Sequence, residues 1–130
     1  MNWKEQPPRS LILLIDDSPQ VRATLRLALE SEGYAVLEAA DGREGVRLYR
    51  EHRPALAIVD IVMPEKDGIE TVKEILAFDP EAVIFTMSGR EEDYQHVAAT
   101  LGAKRGFQKP VAVASLLNAS ARRKLRNGAG

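Results

Sequence analysis

Leu11-Ile12-Leu13-Leu14-Ile15-Asp16-Asp17 is five aliphatic residues in a row followed by two acids. A run this short and this apolar suits a strand buried on both faces, as in a parallel sheet with helices on either side. Three later runs have the same build. Ala57-Ile58-Val59 ends on Asp60, Val83-Ile84-Phe85 leads to Ser88-Gly89, and Phe107 leads to Lys109-Pro110. In open parallel sheets, ligands bind beyond the carboxyl edge of the strands. Three carboxylates, a hydroxyl and a lysine would converge there, a set able to hold a divalent metal and a phosphoryl group together.

The segments between these runs read as helices. Ser18-Pro19 places an N-cap beside a proline at the first helical position, and Val21, Leu25, Ala28 and Leu29 follow at helical spacing until Gly33. Tyr34 to Glu38 reads as the second strand. Asp41 caps the next helix, with Glu44 at the capping-box position, and Pro54 ends it after about His52. The third strand spans Ala55 to Asp60, and a loop runs from Met63 to Gly68. Ile69, Val72, Ile75 and Leu76 form the apolar stripe of a third helix that ends before Pro80. Ala82 to Met87 is the fourth strand. A fourth helix from about Glu91 to Leu101 closes at Gly102, a fifth strand covers Arg105 to Gln108, and a last helix covers about Ala112 to Leu125. Five strands alternating with five helices predict an α/β, doubly wound parallel sheet with right-handed crossovers.

Composition narrows the function. One hundred and thirty residues, 45% of them hydrophobic, make one domain with a real core. The expected division is a loose extension over 1–9, a domain over 10–126 and a short tail over 127–130. A net charge of −1 gives no electrostatic hold on nucleic acid. No cysteine is present, so disulfides and thiolate chemistry are excluded. His52 and His96 lack metal-ligand spacing and read as surface helical residues. No apolar stretch reaches the roughly 20 residues of a membrane span, and Met1 to Ser10 lacks a signal-peptide core. The expectation is a cytoplasmic protein that engages no membrane.

Asp16 and Asp17 could serve only as turn residues, but Ser18 already supplies the cap, which leaves two adjacent acids without a structural task. With the first and third strands adjacent, Asp60 joins them. Unpaired, such a cluster repels itself, and a divalent cation removes that cost. Oxygen-only ligands favour Mg²⁺. Asp67 and Asp41 read as helix caps instead. Lys109, at a strand end, can pair with a carboxylate or phosphoryl oxygen as a point charge. The basic run Arg122-Arg123-Lys124-Arg126 reads as a solvated helix end.

The acid pair, the stretch Asp60-Ile61-Val62-Met63-Pro64-Glu65-Lys66-Asp67-Gly68, Ser88-Gly89, Gly102-Ala103 and Lys109-Pro110 resemble the receiver domain of bacterial two-component response regulators. The likeness covers about Leu11 to Leu125. It implies a flavodoxin-like fold with strand order 2-1-3-4-5. It implies that Asp60 accepts a phosphoryl group from a histidine kinase or a histidine phosphotransfer protein, and that the product signals by binding a downstream effector protein. By the same likeness Asp17, Asp60 and the backbone carbonyl of Val62 would ligate Mg²⁺, and Asp16 would act through a bound water. Ser88, with the backbone N–H groups of Ile61 and Gly89, would hold phosphoryl oxygens, and Lys109 would neutralise another. Such a chain is a phosphoacceptor that assists its own phosphorylation and dephosphorylation, not an enzyme with an external substrate. A stand-alone receiver is the first expectation; a phosphorelay intermediate and a receiver cut from a larger regulator are the alternatives.

One departure bears on signalling. The family's usual aromatic, three residues before the lysine, is replaced by Gly106, and strand alternation points Phe107 to the other side. A rearrangement near the fourth helix, involving Tyr94 or His96, would carry the signal instead. The resemblance implies that Val62 and Arg90 stand beside the path of a hydrolytic water, and neither can act as a base there, so slow loss of phosphate is expected. A haloacid-dehalogenase-like phosphatase would need an aspartate where Val62 stands. A flavin module would need a phosphate loop in place of Asp16-Asp17.

Overall fold

The computed structural model describes residues 10–61, 63, 68–89, 94–109, 111, 115, 116, 118 and 119. The elements alternate as β1 (Leu11–Ile15), α1 (Pro19–Ser31), β2 (Ala35–Ala39), α2 (Gly42–His52), β3 (Leu56–Asp60), α3 (Gly68–Phe78), β4 (Ile84–Ser88), α4 (Tyr94–Leu101) and β5 (Arg105–Gln108). Residues 115, 116, 118 and 119 are helical. The rest of the expected fifth helix, the 1–9 extension, the basic run and the tail lie outside the described residues.

All four strand pairings are parallel, in the order β2-β1-β3-β4-β5. β3 and β4 are buried at every position. That explains why their apolar residues follow one another without alternation: helices cover both faces, so there is no solvent side to mark. On one face, Leu13, Ile15, Ala57, Val59 and Ile84 pack under Val46 and Tyr49 of α2, Val72 and Ile75 of α3, and Ala98 of α4. On the other, Ile12, Leu14, Ile58, Phe85 and Phe107 pack under Leu25 and Leu29 of α1 and under Leu116 and Ala119. Phe107 meets Phe85 at 5.5 Å between ring centroids. Gly106 pairs with Thr86 and faces the α4 side, as alternation from Phe107 requires.

Local signals explain the ends. Ser18 accepts from Val21 N at 3.2 Å, with Pro19 at the first helical position. Asp41 accepts from Glu44 N at 2.9 Å, while the Glu44 side chain turns to Arg47 at 3.5 Å. Gly33 and Gly102 have φ near +95° and +93°, the left-handed turn that stops a helix. Arg53, just after α2, takes φ 46° without being glycine and precedes Pro54.

Three strands start later than the sequence suggests. β2 begins at Ala35 because the Tyr34 N–H closes the turn after α1 onto Leu29 O at 3.2 Å. β4 begins at Ile84 because Ala82 N bonds Asp79 O at 3.0 Å in a turn. β3 likewise opens at Leu56 rather than Ala55.

Candidate functional site

Each strand carries its polar residue to the same edge. Ile15 lies opposite Val59, so Asp16 follows at the level of Asp60, and Asp60 is paired with Met87, one residue before Ser88. Backbone bonds pin these ends: Asp16 N to Ala39 O at 3.1 Å, Ile61 N to Met87 O at 3.0 Å and Lys109 N to Ser88 O at 2.7 Å. Asp16, Asp60 and Ser88 are buried, each exposed by 3% or less. Asp17 is exposed.

Lys109 ties the strands together. Its Nζ lies 2.8 Å from Asp16 Oδ2 and 3.0 Å from Asp60 Oδ2. Burial pulls the Lys109 ammonium down, but the two carboxylates outweigh it and leave its pKa above the ordinary lysine value. The bond to Asp60 is well formed. The contact to Asp16 is an ion pair off the line of a hydrogen bond, so Asp16 Oδ2 is buried without an aligned donor. We read it as a charge contact, because 2.8 Å is close enough for strong attraction whatever the angle.

Asp16, Asp17 and Asp60 each offer a carboxylate oxygen within 4.8 Å of the others. An all-oxygen donor set and a buried oxygen lacking an aligned donor fit a hard divalent cation such as Mg²⁺. Asp16 also has a structural task that sequence reasoning denied it: its Oδ1 accepts from Ser18 N at 2.8 Å, fixing the turn into α1.

Gly68, at the start of α3, is pressed against the end of β3. A Cβ at this position would overlap the Asp60 carbonyl oxygen and the Ile61 Cα, both backbone atoms. The helix therefore packs directly on the peptide that carries Asp60. Gly89, by contrast, has open space around a built Cβ. His52 and His96 are exposed, as expected. Val62, Asp67, Arg90 and Pro110 lie outside the described residues, as does the Tyr94 side chain.

One residue at this edge escaped the sequence reading. Arg22, in α1, donates from Nη1 to Asp16 O at 2.6 Å and from Nε to Glu38 Oε1 at 2.8 Å. A cation one turn into a helix runs against the helix dipole, and that was the available signal.

Comparison with known proteins agrees with this layout. Residues 12–121 match the response regulator receiver domain family. The chain is 39% identical over 113 residues to protein CcdB of Bacillus subtilis, covering 85% of this chain and 94% of the relative. It is 40% identical over 109 residues to the chemotaxis protein CheY of Halobacterium salinarum, covering 83% and 91%. Its fold superimposes with a TM-score of 0.83 and 30% identity, over 95% of both chains, on a CheX-CheY-BeF3-Mg²⁺ complex from Borrelia burgdorferi. With a sheet in the expected order, acids and lysine converging at its carboxyl edge, and a match spanning most of its length, the chain belongs to the response regulator receiver family.

Proposed function

We propose that Asp60 is the phosphoacceptor of this receiver, and that Asp16, Asp17, Asp60 and the Val62 carbonyl hold Mg²⁺. The observation that carries the reading is Asp60 itself: a buried carboxylate at the end of a fully apolar central strand, bound by Lys109 and grouped with two further acids. Such burial is costly for a carboxylate that has only a structural role.

The ionised Asp60 oxygen attacks phosphorus in a phosphohistidine. The P–N bond breaks, the imidazole leaves with the electron pair, and an acyl phosphate remains on Asp60. Lys109 is already in place as a point charge for the oxygens that gain charge during transfer. Ser88, buried one residue past the level of Asp60, supplies a hydroxyl from the neighbouring strand. Bound Mg²⁺ would supply charge neutralisation between carboxylates and phosphoryl oxygens. The protein's own part is positioning plus electrostatics.

The donor is a histidine kinase or histidine phosphotransfer protein, and the output is binding to a separate effector protein in the cytoplasm. Support comes from the chemotaxis relative of which the chain spans 91%, and from the similar CheY solved with CheX, BeF3 and Mg²⁺. Among the described residues, no helix is long and apolar enough to cross a membrane. By the family likeness, Val62 and Arg90 are the residues that would flank a hydrolytic water, and since neither is a base there, the acyl phosphate is lost slowly.

The test is intact-mass analysis after incubation with acetyl phosphate and Mg²⁺. Wild type should gain one phosphoryl group and Asp60→Asn none. Labelling that persists in Asp60→Asn would move the acceptor elsewhere.

A further inference from the structure

We propose that Arg22 is a positioning residue for the acid pair: its guanidinium fixes the Asp16–Asp17 peptide so that Asp17 is held ready to share a divalent cation with Asp60. The proposal rests on the metal-site reading above and adds to it a residue outside the ligand set.

Asp17 is exposed, and a free side chain on a free loop would be ordered only at the moment of binding, at an entropic cost. Its backbone is not free. The carbonyl of the peptide joining Asp16 to Asp17 accepts Arg22 Nη1 at 2.6 Å. The preceding N–H, that of Asp16, is spent on Ala39 O at 3.1 Å. On the far side, Ser18 N binds Asp16 Oδ1 at 2.8 Å. Three bonds, one from α1, one from β2 and one from the N-cap residue that precedes α1, therefore clamp the acid pair.

Arg22 can do this because it is itself clamped. Its side chain is only 15% exposed, and its Nε is held by Glu38 Oε1 at 2.8 Å. The other Glu38 oxygen takes Arg26 Nη1 at 2.7 Å, and Arg26 Nε takes Glu30 at 2.9 Å. Hydrogen bonds from Arg26 first and Arg22 second hold the Glu38 carboxyl below its ordinary value, so it stays anionic. Two guanidiniums and two carboxylates cancel. The chain thus gains a rigid donor close to the acids without an uncompensated positive charge that would repel a cation.

This arrangement makes a prediction of distinctive sign. If Arg22 acted only through its charge, removing it would strengthen cation binding. If it positions the acid pair, removing it weakens binding.

The experiment measures Mn²⁺ binding to the full chain by electron paramagnetic resonance, with no phosphodonor, alongside thermal unfolding in EDTA. Arg22→Met keeps the aliphatic stem and removes the donors; it should weaken Mn²⁺ binding about tenfold. Arg26→Met breaks the same charge network but leaves the Asp16 carbonyl gripped. It should lower the unfolding temperature while keeping affinity within about twofold of wild type. Arg22→Lys, which keeps the charge but cannot grip both partners, should fall between. Wild-type or tighter binding in Arg22→Met overturns the proposal, and so does an equal loss in Arg26→Met. Should Arg22→Met not fold, Arg22→Lys decides, and binding unchanged from wild type there overturns it. A wild-type chain that binds no Mn²⁺ would instead remove the metal site itself, an outcome visible before any variant is made.

Discussion

Two aspartates sit at opposite ends of the sheet, each facing a cation, and they are built for different ends. Asp60, at the carboxyl edge, is buried beside a second carboxylate, and a single ammonium serves both. Asp79, beyond the end of α3 at the amino edge, accepts the Tyr49 hydroxyl at 2.8 Å and faces Arg53 at 3.6 Å. Around it Phe78 packs edge-on against Tyr49, and Arg53 stacks over the Phe78 ring at 4.6 Å. Burial pushes the Tyr49 hydroxyl up, and the bond to Asp79 pushes it further, so it remains a donor. The lower cluster has one acid, a donor and a cation, and is satisfied as it stands. Among the described residues, the upper cluster has three acids drawn together and one lysine. The difference teaches what marks a site: charges of one sign gathered in excess of the opposite charges among the described residues around them.

The largest effect should separate the two aspartates. Asp60→Asn should lose all labelling by acetyl phosphate, while Asp79→Asn should label like wild type and lose roughly 1–3 kcal/mol of stability by weakening a buried hydrogen-bond arrangement. Chemical denaturation of both variants checks this; a comparable stability loss in Asp60→Asn would erase the contrast.

Next in size is the cation. Asp17→Ala should weaken Mg²⁺ binding about tenfold or more by removing one carboxylate ligand. Asp41→Ala, which removes an acid with a capping role, should leave binding unchanged and cost about 1 kcal/mol of stability. Calorimetric titration with Mg²⁺ distinguishes them, and equal weakening would show that bulk negative charge, not ligation, attracts the ion.

Tyr49→Phe deletes one hydroxyl from the lower cluster. Stability should fall by about 1 kcal/mol, with labelling kinetics unchanged. A change in labelling rate would mean that the amino edge communicates with the site.

The smallest effect concerns pH. The Glu38 carboxyl is held below its ordinary value in the folded chain, so its contribution to stability is complete above the unfolded value and is lost as pH falls through the folded one. Wild type should therefore exceed Glu38→Gln in melting temperature at neutral pH, with the gap closing as pH drops below about 4. A gap independent of pH would show that the side chain acts by packing alone.

Much of this architecture was legible because it is local or periodic. The central strands are legible because cover on both faces leaves apolar runs, and the bounds expected for β1 and β5 match residue for residue. The starts of β2 and β4 were misplaced by backbone bonds from Tyr34 and Ala82 that no side chain announces. The convergence of Asp16, Asp17, Asp60 and Lys109 is legible because each ends or follows a strand, and parallel strands deliver their ends to one edge. Arg22 was not, because it reaches Glu38 across 16 residues with a long side chain that periodicity does not direct. Tyr49 and Asp79, 30 residues apart, escaped for the same reason. The sequence also read Asp16 as free of structural duty, whereas its two oxygens divide the work, one on the turn and one facing Lys109.

Gly68 carries a consequence for mutational tolerance. Position 68 is the one contact described above where added bulk would meet only the backbone of Asp60 and Ile61, with no flexible side chain to yield. In a saturation library, its neighbour Ile69, partly exposed at 38%, should accept many residues. Position 68 should accept none without displacing the peptide that carries Asp60. Even alanine there would shift the backbone at Asp60, so the identity of a residue with no side chain is set by the path of the chain it rests on.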